Sequence, residues 1–108
     1  MKTLDFNAIA EAADKDPGLQ ITSLDGEKIQ LRKFENLPGD DFKTVMKLIN
    51  IIQDEKVGQD AKLDAMDQCL VAASDKKESM KYSLARLPLS ARNEAFDAWM
   101  DSDEVGNS

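Results

Sequence analysis

The chain has 108 residues, with 14 basic and 21 acidic side chains, a net charge of −7 and no histidine. Its length makes a single domain, and 42% hydrophobic with 32% charged residues is a globular balance, not a disordered one. The acidic balance argues against nucleic acid and anionic membrane surfaces, which both need basic patches, and the missing histidine removes the usual general base, the Ser–His and Cys–His pairs and the commonest metal ligand.

Met1 to Asp5 lacks the apolar run of a signal peptide, and the acids Asp5 and Glu11 interrupt the first dozen residues. The longest strongly apolar segment, Val45 to Ile52, is broken by Lys47 and Asn50. It falls far short of the ~20 residues that span a bilayer. A soluble, cytosolic protein is expected. Cys69, the one cysteine, has no internal disulfide partner and reads as a small buried helix residue.

In chain order, Asp5 is a candidate N-cap, followed by Phe6, Ile9, Ala10 and Ala13 at helical spacing. Asp16-Pro17-Gly18 ends this short helix, whose thin apolar stripe must dock on something to persist. Leu19 to Leu24 and Glu27 to Arg32 alternate around Asp25-Gly26, which predicts a hairpin closed by a two-residue type I′ turn. Leu19, Ile21, Ile29 and Leu31 would share the covered face, and the hairpin's edges are either shielded or used for assembly.

A helix opened by Gly39 or Asp40 carries Phe42, Val45, Met46, Ile49 and Ile52, with Leu48 and Ile51 widening the stripe. Such a wide stripe suits either a central core helix or one shared between the core and a partner. After a loop at Glu55 to Gln59, Asp60 caps a second long helix to about Ala73, with Leu63, Met66, Leu70 and Ala73 inward and Asp64 and Asp67 on the wet side. Asp75 and Glu78 have capping-box spacing for a third helix with Met80, Leu84 and Leu87. Pro88 interrupts it, and the last helix gathers Ala91, Ala95, Phe96, Trp99 and Met100 on one side. The expected class is α+β, mainly α: a short N-terminal helix, one β-hairpin, then three to four amphipathic helices. Residues 1–100 form one domain and 101–108 a disordered acidic and polar tail.

No phosphate-loop, dinucleotide, zinc-protease, paired-cysteine or nucleophile-elbow motif occurs. The Asp14/Asp16 and Asp101/Asp103 pairs lack a calcium loop's ligand ladder, Asp40-Asp41 reads as helix capping, and Ser83 and Ser90 have no histidine partner. No catalytic residue, metal ligand or cofactor is therefore expected. Phe96, Trp99 and Met100 are either core or the anchors of a partner-binding helix. Four methionines (Met46, Met66, Met80 and Met100) lie in apolar stripes, where a soft side chain serves core and adaptable surface alike.

The order of these elements carries a resemblance. A hairpin reading Leu24-Asp25-Gly26-Glu27-Lys28-Ile29-Gln30-Leu31-Arg32 is followed by Phe34-Glu35-Asn36-Leu37-Pro38 and amphipathic helices, and the chain closes with Leu84-Ala85-Arg86-Leu87-Pro88 and Ala95-Phe96-Asp97-Ala98-Trp99-Met100. Across residues 4 to 100 this resembles the tail assembly chaperones of long-tailed bacteriophages, especially those of actinobacteria. The resemblance implies an assembly factor and not an enzyme. It would coat a long helical tape-measure protein in the host cytoplasm and be absent from the mature virion. It also implies a short form beside a frameshifted longer form; self-association is a further expectation, and the acidic charge and short apolar segments leave no nucleic acid and no membrane among the expected partners. Phe42, Met46, Ile49, Phe96, Trp99 and Met100 are the candidate client or self-association surface.

Two other classes remain open. A different small morphogenesis or head–tail protein is one, although a tube component would need more sheet than one hairpin. An acidic regulator such as an antitoxin is the other, although the charge splits evenly, −3 over 1–54 and −4 over 55–108, with lysines interleaved among the acids.

Overall fold

The computed structural model describes residues 3–15 and 18–106, which form five helices and a two-stranded hairpin. Helix α1, Phe6–Lys15, is capped as expected: Asp5 Oδ1 accepts hydrogen bonds from Asn7 N at 3.0 Å and Ala8 N at 3.4 Å. The expected break at Asp16-Pro17 lies outside the described residues. Gly18 beyond it has φ +53°.

Strands β1, Leu19–Thr22, and β2, Lys28–Leu31, pair antiparallel with Leu19 opposite Leu31 and Ile21 opposite Ile29. That register puts all four apolar side chains on one face, as the alternation requires. The turn differs from expectation. Only Gly26 takes positive φ (87°) within it, and no residue other than glycine does so among the described residues. Gly26 N donates to Ser23 O at 3.0 Å and Ser23 N donates to Glu27 O at 2.8 Å, so the loop has three residues with glycine in the left-handed position. Asp25 stays at negative φ because its carboxylate has partners there: it accepts from Ser23 Oγ and, at 3.2 Å, from Glu27 N.

The outer edge of β2 is closed from within the chain. Arg32 N donates to Ala73 O (3.0 Å), Asp75 N to Gln30 O (3.1 Å) and Gln30 N to Asp75 Oδ1 (2.8 Å), with a bridge between Leu31 and Ser74. This edge is therefore spent on the fold. The tip of the hairpin is tied down as well. Leu24 N donates to Ser83 Oγ at 2.9 Å, Ser79 Oγ to Asp25 Oδ2 at 2.9 Å, and Lys76 pairs with Glu27 at 3.0 Å. The donors from Ser23, Glu27 and Ser79 hold the Asp25 carboxyl below its ordinary pKa.

After a single 3-10 turn at Phe34–Asn36 come α2 (Gly39–Gln53), α3 (Gln59–Ala73), α4 (Lys77–Arg86) and α5 (Leu89–Gly106). The helix starts fall slightly earlier or later than the acids suggest. Pro38, Gly58 and Lys76 occupy the N-cap positions and none makes a side-chain capping bond. Asp40, Asp41 and Asp60 instead lie in first turns, where they suit the macrodipole. Asp75 leaves its expected capping role to bond β2, and Ser74 Oγ accepts from Lys76 N at 2.9 Å.

The centre of the fold is α3, not the wider-striped α2. Helix α3 packs on α2, α4 and α5, and buries Ala65, Cys69, Leu70, Ala72 and Ala73. Of the expected stripe, Leu70 and Ala73 are buried and Leu63 and Met66 partly so; burial reaches beyond it to Ala65, Cys69 and Ala72, small side chains that let neighbours approach on several sides. Helix α2 buries only Val45 and Leu48, with Ile49 and Ile52 half-buried against the core. The remaining core residues are Ile29, Leu31, Leu37, Met80, Leu84, Phe96 and Trp99. Cys69 is fully buried and desolvation pushes its pKa up to about 12. A thiol reagent at pH 8 should accordingly label the native protein only at the rate of unfolding, and burst labelling would show the site to be open.

A disordered tail is expected from residue 101, yet α5 continues through Gly106. Nothing between Met100 and Gly106 breaks a helix, since the first glycine there is Gly106 itself. The total accessible surface is 7262 Å². A compact fold of this mass would expose about 6,000 Å². The N-terminal segment contributes to the excess: Leu4, just before α1, and Phe6 and Ile9 on it are 64%, 80% and 50% exposed, and among the described residues α1 packs extensively on no other element.

Candidate partner-binding groove

The six residues expected to form a partner surface are not brought together. Trp99 is 1% exposed and its indole N–H donates to Arg32 O at 2.8 Å. Phe96 is buried beside it, the two rings meeting edge to face at 5.9 Å. Both are core, so a partner cannot reach them in the folded chain. Helix α5 packs on α3 and β1, and both rings belong to the core cluster that holds Cys69, Leu70 and Ala73 of α3. Ile49 is half-buried against the core. Phe42, Met46 and Met100 remain exposed, at 38%, 39% and 37%. Phe42 stacks at a tilt on Phe34 with ring centres 4.8 Å apart, and Met46 lies one helical turn further on. Met100 belongs to a different helix, α5.

A different face of the molecule holds a groove of about 640 Å³, within the range of small-ligand and side-chain pockets. Asp41 and Thr44 of α2 form one wall. Val71 and Ala72 of α3 and Leu84 and Ala85 of α4 form an apolar floor, continued by Leu87. Polar groups surround it. Arg92 of α5 donates to Asp67 Oδ2 at 2.6 Å, both side chains being about three quarters buried. Asp67, expected on the wet side of its helix, is instead largely withdrawn from solvent, and desolvation raises its pKa despite the guanidinium. Arg92 Nε is buried with no hydrogen-bond partner among the described residues.

Lys77 occupies the opposite rim. Its ammonium donates to Ala72 O at 3.0 Å and Val71 O at 3.3 Å, capping the C-terminal end of α3, and lies 3.7 Å from Asp41. Lys81, which also lines the groove, is 3.6 Å from the exposed Glu78. The lining thus carries three cations and two acids in a chain whose overall charge is −7. The lining combines apolar side chains with charges of both signs. Among the described residues, no group of His, Cys, Asp and Glu could hold a metal ion, and no helix is long and apolar enough to cross a membrane.

Sequence periodicity misses this groove because its parts come from four helices. Asp67 and Arg92 are 25 residues apart. A local hint is that Val71, Ala72 and Ala85 are apolar residues left outside the predicted stripes. No protein family, curated protein or solved structure was found to match this chain.

Proposed function

We propose that this protein is a phage tail assembly chaperone that keeps a long helical tape-measure protein soluble until the tail tube forms around it. The observation that carries the proposal is the groove walled by α2, α3, α4 and α5, with an apolar floor and charges of both signs at its rim. An amphipathic helix laid along such a floor buries its apolar stripe while its flanking acids and bases meet Lys81, Lys77 and Asp41. The exposed Phe42 and Met46 supply a second apolar strip for a client longer than one groove. The hairpin motif from Leu24 to Arg32 and the closing Ala95 to Met100 segment support the same family reading. A net charge of −7 keeps many copies on one client from clumping. Its place of action is the host cytoplasm, before the virion is complete.

The test is co-expression of the full chain with a tape-measure protein. Wild type should hold the client in the soluble fraction and co-purify with it. Ala85, exposed on the groove floor, gives the decisive variant. Ala85→Glu should cut recovered client by about tenfold, a hot-spot-sized loss, with helix content and Tm unchanged. Full client recovery by folded Ala85→Glu would move the client off this groove.

A further inference from the structure

Helix α1 poses a physical problem that a single copy leaves open. Ten residues are too few for a stable free helix in water, and an amphipathic one survives by burying its stripe. Yet Phe6 is 80% exposed, Leu4 64% and Ile9 50%. The groove poses the complementary problem, an apolar floor in a cavity of about 640 Å³ left open. Their charges match. The segment from Asp5 to Lys15 carries three acids (Asp5, Glu11 and Asp14) against one base, whereas in the groove's lining Arg92 is paired with Asp67 and Lys77 with Asp41, so Lys81 carries its one surplus positive charge.

We propose that α1 of one copy docks in the groove of a second copy, and that the exchange is reciprocal. Phe6 and Ile9, one turn apart on α1, enter between Leu84, Ala85 and Val71, and Glu11 faces the Lys81 side of the rim. A single three-turn helix buries little surface. Two-fold symmetry makes the contact twice, which is how short arms commonly yield stable dimers. The groove is then filled by the chain's own arm until a client helix displaces it. Only this last step rests on the chaperone reading.

Sedimentation velocity of the full-length protein without client tests the exchange. Wild type should show a reversible dimer that weakens as salt is raised, because exposed charges contribute to it. Phe6→Asp and Ala85→Glu should each raise the dimer Kd by about tenfold or more, with unchanged circular dichroism. Phe6 is solvent-exposed, so its replacement leaves the core intact. Mixing the two variants is the discriminating measurement. The Phe6→Asp chain keeps a sound groove and the Ala85→Glu chain keeps a sound arm, so the heterodimer regains one intact contact and should be tighter than either homodimer. A wild type that stays monomeric overturns the proposal, including the case where the arm folds into its own groove. A dimer indifferent to Phe6→Asp, or one that gains nothing on mixing, assigns self-association to another face and overturns it too. With client added, Phe6→Asp should bind more tightly than wild type, since no arm competes. Loss of that gain alone would count against the chaperone reading and leave the dimer standing.

Discussion

Trp99→Ala should lower the free energy of unfolding by about 3–5 kcal/mol, read as a fall in the urea midpoint at constant m. The indole is 1% exposed and is the largest fully buried side chain. It joins α5 to the hairpin through the 2.8 Å bond to Arg32 O and packs edge-on against Phe96. Truncation opens a cavity and removes the indole donor from the Arg32 carbonyl. Against a total stability of roughly 5–15 kcal/mol for a domain of this kind, that loss leaves little margin. Trp99→Phe restores most of the packing but not the donor, and should cost about 1–2 kcal/mol. Circular dichroism must follow the transition, because Trp99 is the only tryptophan. A Trp99→Ala loss below about 1 kcal/mol would show that Trp99 does not anchor the core.

Gly18→Ala is the second large effect, about 3 kcal/mol, and it combines two costs. At φ +53° an L side chain is disfavoured, and a Cβ there would lie 2.3 Å from the carbonyl oxygen of Leu31. That oxygen is backbone in β2, which is pinned on its other side by the 73–75 segment, so it cannot retreat cheaply. Gly26 supplies the internal control. It has φ +87° but open space around it, so Gly26→Ala should cost only the dihedral term of about 1–2 kcal/mol. Equal losses at the two glycines would contradict the close approach of Gly18 to β2.

The parts of this fold that depend on local spacing are legible in the sequence. Alternation at Leu19, Ile21, Ile29 and Leu31 fixes the covered face of the hairpin, and Asp5 marks the start of α1. What local spacing cannot supply is the third dimension of each helix. Helix α3 is central because alanines and a cysteine let three neighbours close on it, and such residues leave only a faint periodic signal. Helix α2 shows the converse: its wide stripe marks two surfaces, a buried one through Val45 and Leu48 and an exposed one through Phe42 and Met46. Trp99 and Phe96 fit a core and a partner anchor equally well until β1 and α3 are seen against α5. The groove is invisible for a simpler reason. Its ion pair joins Asp67 of α3 to Arg92 of α5, with all of α4 between them in the chain, a relation that no helical period encodes. The requirement that α1 find a docking partner is legible, and the fold of one copy does not meet it.

The closure of β2 by Ala73, Ser74 and Asp75 also sets an order of events during synthesis. The strand's hydrogen-bonding edge must wait for residues more than forty positions later in the chain. At ribosomal speeds of about 5–20 residues per second that wait is on the order of a few seconds. Throughout it the nascent hairpin presents an open β edge, the feature most prone to cross-pairing between neighbouring chains on one messenger. Slow codons placed between β2 and the start of α4 would lengthen this exposed interval, and should lower soluble yield without changing a single residue of the product.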